Sequence, residues 1–331
     1  ATGANSIASG FASSTLGQDT EASGNYSLAI GINTKATNQA SFASGADTFA
    51  EGQESVAMGR GTLAIGSFSV AMGHITEASG DTSTAMGDGT TASGYASTAM
   101  GRGSEANEQD STAMGYYTIA SGEGSTAMGV NTIASGHRST AMSSETTASG
   151  VASTAMGHLS KATGDVSTAL GASEATGNYS TSMGWLTNAT GTTSTAMGVD
   201  TTASGNDSTS MGNTTTASGQ SSTAMGHITT ASGDYSTAMG HITTASGDYS
   251  TAIGYSLGNE YIPGESNPFY KNEALGNYSV VLGNRNKSTG PKSFSIGNDN
   301  LSQGIGTFSI GENNISTGNY SMALGLFSES I

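Results

Sequence analysis

Two imidazoles set fourteen residues apart, His227 and His241, are the residues best spaced for metal chemistry in this chain. If consecutive turns of a repeat stack them about 4.8 Å apart, they could share an ion. Asp234 and Asp248 recur on the same spacing but on the opposite corner of the repeat. No third ligand is evident, and His74, His137 and His158 stand alone. Both histidines therefore read as surface residues, and no metal or other cofactor is expected. There is no cysteine, so thiolate nucleophiles, thiolate metal sites and disulfides are excluded. No paired carboxylates or phosphate loop recur outside the generic glycine corners, and the GxGxxG-like runs belong to those corners. The Asp-Tyr corners do not fit the calcium-binding nonapeptide pattern. Sequons at Asn25, Asn178, Asn206 and Asn319 are what chance gives in so Ser/Thr-rich a chain. An enzyme is not expected.

The elements behind these residues follow from the period. The stretch GHITTASGDYSTAMG, Gly226–Gly240, is followed by the same fourteen residues with one change, Met239 becoming Ile253. The residue before the glycine of STAMG, apolar everywhere but at Ser44, steps by 14 from Leu16 to Leu170, by 13 to Met183, by 14 to Ile253, by 29 to Leu282 and by 14 again to Leu324. That registers 22 repeats. Each splits into two sevens, usually opened by glycine, with a short alternating segment after a turn. Glycine every seventh residue and abundant Ser/Thr disfavour a helical heptad. The pattern predicts an all-β parallel solenoid of 14-residue coils, two short strands per coil, about 105 Å long at 4.8 Å per turn. Regular repeats are expected over 1–253, an interruption over 254–276, and repeats again over 277–331.

Face assignment follows from strand alternation. Alanine is the sixth residue of both sevens, as in Ala78 and Ala85, and is expected inside. Ser83, Ser97, Ser111 and Ser236, fourth in the second seven, are expected to turn inward and satisfy corner backbone groups. The seventh residue is usually serine in the first half and methionine, isoleucine or leucine in the second. One outer face is therefore wet and the other carries a methionine stripe. Such a stripe exceeds the apolar patch a soluble monomer normally exposes, so it predicts an oligomer interface.

The half-repeats SVAMG (Ser55–Gly59, Ser69–Gly73), SLAIG (Ser27–Gly31) and TASG (Thr91–Gly94) resemble the YadA-like head repeats of trimeric autotransporter adhesins, over about residues 5–325. The resemblance implies a left-handed parallel β-roll and a homotrimeric rod. It places Met58, Met72, Met86, Met100, Met114, Met128, Met142, Met156, Met183, Met197, Met211, Met225, Met239 and Ile253 at the trimer interface. It also implies an extracellular or cell-surface protein that adheres to a host cell, matrix or abiotic surface. The family's neck, coiled-coil stalk and membrane anchor have no counterpart here, so an isolated head or a related roll, such as a virion fibre, is expected. An alternative is a structural subunit assembling end to end with fellow rods in a filament; a minor one is an ice-binding solenoid built on threonine ladders.

The formal net charge of −16 argues against nucleic acid and against docking on anionic lipid. No apolar run is long enough for membrane insertion. Candidate partner contacts are Tyr255, Tyr261, Phe269, Tyr270 and Lys271 in the interruption, which reads either as a 15-residue insertion at a corner or as an irregular extra turn. A plug or clasp between chains is the competing role for that segment. Trp185, the only tryptophan, follows the 13-residue repeat; it is either an exposed contact or a cover over the missing residue. Four of the nine basic residues, Lys271, Arg285, Lys287 and Lys292, cluster at and after the interruption and suggest a basic collar.

Overall fold

A computed structural model describes residues 1–256 and 271–331. It forms two compact units, Ala1–Val166 and Ser167–Ile331. Each is an all-β parallel solenoid, and together they hold about 22 turns. No helix occurs among the described residues.

One turn of the first unit shows the construction. A five-residue strand, Thr98–Arg102, is followed by a two-residue strand, Glu105–Ala106. Thr98, Ala99 and Met100 pair with Thr84, Ala85 and Met86 on one side and with Thr112, Ala113 and Met114 on the other. Glu105 and Ala106 pair with Thr91 and Ala92. Every strand is thus bonded to its equivalent fourteen residues away. Ala99 and Ala106 are fully buried, so the two sheets close on a core one methyl deep. The side chain that would make a thicker core is absent by design of the period, and backbone ladders carry the fold instead.

Two features let the chain turn so tightly. Each regular coil has one residue per corner in the left-handed region, whatever its type, for example Ile75 at φ 51° and Thr82 at φ 58°. A β-branched residue there is strained. It is held because its N–H donates to the previous coil, Ile75 to the Arg60 carbonyl at 2.8 Å and Thr82 to that of Ser67 at 2.7 Å. The glycine that follows the methionine in most coils is favoured for another reason. A Cβ on Gly115, at φ 136°, would lie 2.0 Å from the Gly129 carbonyl oxygen of the next coil. Ser143, at φ 101°, occupies this column where its neighbours have glycine. There the ladder fails: the next strand stops at Met156 after three residues.

The expected inward serines Ser83, Ser97, Ser111 and Ser236 are all buried; Ser83 and Ser111 donate to the corner carbonyls of Gly80 and Glu108 at 2.6 Å, whereas the hydroxyls of Ser97 and Ser236 do not reach a corner carbonyl.

In the second unit the register locates both irregularities. Leu170, Gly171 and Ala172 pair with Met183, Gly184 and Trp185, then Ser173 pairs with Thr187. The short repeat lacks the corner residue, and Leu186 is the one left without a partner. The step of 29 arises at one corner. Thr243 pairs with Asn272, and Thr251 with Val280, so no further coil lies between the stacked strands. Of the two readings of that step, the register selects an insertion between Ser256 and Asn272.

After the insertion the interior changes. The column held by Thr201, Thr215, Thr229 and Thr243 becomes Asn272, Asn286, Asn300 and Asn314, all fully buried. The N–H groups of Asn286, Asn300, Asn314 and Ser328 donate to the side-chain oxygens of Asn272, Asn286, Asn300 and Asn314 at 2.8–3.0 Å. The side-chain amides of Asn286, Asn300 and Asn314 donate to the carbonyls of Gly297, Gly311 and Gly325 at 2.7–2.8 Å. The threonines Thr201, Thr229 and Thr243 make no such bonds.

Candidate interaction surfaces

The face that carries methionine is the outer side of the longer strand of each coil. Alternation about the buried alanine puts the first and third strand residues on it together, Thr98 beside Met100 and Thr112 beside Met114. Met58, Met72 and Met156 are each 37% exposed and Ile253 38%, while Met86, Met100, Met114, Met128, Met142, Met183, Met197, Met211, Met225 and Met239 are half-buried by neighbouring rungs. The predicted stripe is therefore a continuous column within each unit, open to solvent on the single chain. The residue two before it was overlooked in the sequence. It is Leu28, Phe42, Val56 and Val70 in the early coils, threonine from Thr84 to Thr154, and again apolar at Val280, Phe294 and Phe308. Phe294 and Phe308 stack with centroids 4.8 Å apart. The fourteen-residue spacing that exposed the methionines would have exposed this second column.

The corners carry a different chemistry. His227, His241 and Tyr255 stack in sequence at 5.0 and 4.9 Å. Tyr235, Tyr249 and Tyr278 stack likewise at 4.9 Å on the other corner. His241 Nδ1 bonds the Ser256 carbonyl at 2.6 Å. The imidazoles meet face to face, and among the described residues no three His, Cys, Asp or Glu side chains gather as metal ligands. Asp234 and Asp248 are occupied structurally, accepting the N–H of Gln220 and Asp234 at 2.9 and 3.1 Å. Asn25, Asn206 and Asn319 do the same for Phe11, Thr192 and Ile305, which gives these sequon residues a structural role. Desolvation between its two neighbours, reinforced by Tyr235, Tyr278, Asp248 and Asp234, pushes the Tyr249 phenol above its ordinary value.

Two sequence expectations need correction. His74 and His137 are not alone: their Nδ1 atoms lie 2.7 Å from Asp88 and 3.5 Å from Glu123. The basic collar is half cancelled, because Arg285 pairs with Asp299 at 2.6 Å and Lys287 with Glu273 at 2.7 Å. Lys271 and Lys292 remain exposed. The register explains the pairs, since each partner stands fourteen residues away on an adjacent rung.

Of the candidate contacts, Tyr255, just before the insertion, is 51% exposed, and Lys271, its last residue, is exposed. Tyr261, Phe269 and Tyr270 lie outside the described residues. Trp185 is 58% exposed and pairs with Ala172 directly beside the missing residue. It stands five rungs before Tyr255 in the same corner column, and the two do not form one site.

A family model described as the YadA head domain repeat (2 copies) matches residues 22–48, 50–74, 78–104, 92–118, 120–142, 148–173, 189–215, 203–227, 217–241, 231–256, 274–300 and 302–328. No match to a curated protein was found.

Proposed function

The chain belongs to the YadA head-repeat family, and from that premise we propose that it is the adhesive head of a surface-exposed trimer. Three left-handed rolls with 14-residue coils would pack their methionine faces around one axis. Met58 through Met239 and Ile253 would form the contact, with the threonine column beside them. The observation that carries this reading is the half-open methionine column. Completing the burial of one such side chain contributes roughly 0.5–1 kcal/mol, a third of the full-burial value. Thirteen of them in register make association worth far more than any single contact.

Recognition of a host cell, matrix or abiotic surface is assigned to the corners and to the insertion with Tyr255 and Lys271. There packing leaves residue choice free, and loops on rigid scaffolds carry contacts disproportionately. Many weak corner sites on three chains would sum by avidity. The test joins two measurements. Native mass spectrometry should give three times 32.7 kDa, and a stable monomer overturns the trimer. Deleting residues 257–271 restores a 14-residue step between Thr243 and Asn272. The deleted protein should stay assembled and lose adhesion to cells or matrix-coated surfaces. Undiminished adhesion removes the insertion from the site. Continuous fibres in negative-stain images would replace the adhesive reading by a filament.

A further inference from the structure

All fourteen methionines of this chain lie on the outer side of the longer strand of their coil. Thirteen are third in their strands, from Met58 to Met239; the other, Met322, is first in its strand and pairs with Phe308. None is fully buried. The chain has no cysteine to intercept an oxidant. The same column holds Leu16, Ile30, Leu282, Ile296, Ile310 and Leu324 in other coils, so its packing does not require sulfur.

We propose that the methionine column is a modification site for two-electron oxidants of the peroxide class, and that its oxidation prevents the protomers from assembling. The inference rests on the reading of this face as the trimer contact. A thioether lone pair attacks one peroxide oxygen, the O–O bond breaks, and that oxygen stays on sulfur. Sulfur loses two electrons, and the second oxygen leaves as water after proton transfer. The product is polar and bulkier than the thioether. Closing the interface over it desolvates an oxygen that the apolar partner cannot satisfy. The threonine hydroxyls alongside can donate to one lone pair each, but the added volume still opposes close packing. The column is open on the isolated protomer and would be covered on the assembled one. Oxidant should therefore act on unassembled chains and spare assembled ones.

The experiment compares three samples by native mass spectrometry. The first is untreated protein. The second is oxidised with hydrogen peroxide in denaturant, with the gain of one oxygen per methionine verified, then refolded. The third is exposed to peroxide after assembly. The expected result is loss of the oligomer in the second sample only, recovered by methionine sulfoxide reductase with dithiothreitol. In the third, methionines should oxidise more slowly than in the unfolded chain. A variant with leucine at all fourteen positions should assemble whether or not peroxide is added. If that variant does not fold, reversal by the reductase serves as the control. A monomer before any treatment overturns the trimer reading and this inference with it. A trimer that re-forms from fully sulfoxidised chains, or column methionines that oxidise as fast assembled as unfolded, overturns this inference alone.

Discussion

Replacing Ser143 with glycine should repair a break in the first unit. In the regular coils the residue after methionine faces the next coil's carbonyl so closely that a Cβ has no room. For Gly115 and Gly129 the distance to the Gly129 and Ser143 carbonyl oxygens would be 2.0 and 1.9 Å. Ser143 carries that Cβ, and the following strand is cut short, although Leu159 N–H still donates to the Ser144 carbonyl at 3.0 Å. The strand Thr154–Met156 ends two residues short of the strand it pairs with, Thr140–Ser144. Gly157 N–H still reaches the Met142 carbonyl, at 3.2 Å. Ser143 also holds φ 101°, a region that L side chains rarely adopt.

Backbone strain of this type costs about 1–3 kcal/mol, and a restored ladder bond adds a net contribution of about 0.5–1.5 kcal/mol. Ser143→Gly should therefore stabilise this coil by about 1–3 kcal/mol, allowing for incomplete relaxation. A solenoid need not unfold in one step, so a single melting temperature is a poor gauge. Hydrogen exchange of the Gly157 to Leu159 amides reads the coil directly. At a factor of ten per about 1.4 kcal/mol, exchange should slow roughly 5- to 150-fold. The mirror change, Gly115→Ser, should open the coil at Thr126–Val130. If Ser143→Gly leaves those amides unchanged or faster, the carbonyl clash is not what ends the strand.

Three further outcomes follow from the columns. Met100→Asp with Met114→Asp should abolish the oligomer by placing unpaired carboxylates in a closed interface, whereas Ser93→Asp with Ser121→Asp should leave native mass unchanged. Thr243→Asn should extend the buried ladder by one rung, stabilising the second unit by about 1–2 kcal/mol through two added bonds; Asn300→Ala should destabilise it by about 2–3 kcal/mol by orphaning buried partners, both read by local hydrogen exchange. Because the folded Tyr249 phenol keeps its proton above the ordinary value of 10.0, the native state binds more protons than the unfolded chain in that window. The contribution from this group is present below pH 10 and is lost as pH rises through the raised value. Tyr249→Phe should remove that part of the alkaline loss in unfolding followed at successive pH values.

Much of this was legible because a solenoid writes its geometry as a period. Burial of Ala99 follows from alternation alone, and so does the side that Met100 occupies. Counting confined the missing residue to the repeat between Leu170 and Met183, and the strand register then put it at a corner. What the period does not encode is which atoms meet across fourteen residues. Arg285 looked like a free cation in the linear sequence, yet its rung neighbour is Asp299. His74 looked alone, yet Asp88 stands directly on the next rung. The asparagine column was visible as Asn272, Asn286, Asn300 and Asn314, but its meaning depends on the Gly297 and Gly311 carbonyls lying within reach of the side chains. Longitudinal neighbours decide these interactions, and they appear only when the sequence is read in columns.

Reading in columns also separates what each position is free to do. Inside, a single methyl fits, and in nearly every coil the residue is alanine or serine. On the long-strand face, apolarity is held in every coil but that of Ser44 while identity is not, since leucine, isoleucine and methionine replace one another there without a change of register. At the corners even β-branched residues are accepted in the left-handed region, as Ile228 and Ile242 are. The backbone bond to the previous coil, not the side chain, holds that conformation. A corner can therefore change its side chain with little effect on the fold. Those corners include the two ring ladders, Trp185 and the site of the insertion. An adhesive surface needs that separation: a partner can be selected there while alanine and methionine continue to specify the coil and its contacts. The arrangement makes a sharp demand on corner variants. Tyr235→Ser and Trp185→Ser should leave oligomeric mass and hydrogen exchange of the Ala224 and Ala238 amides unchanged while altering surface attachment. A corner change that instead dissociates the oligomer would mean that recognition and assembly share residues, and the division drawn here would fail.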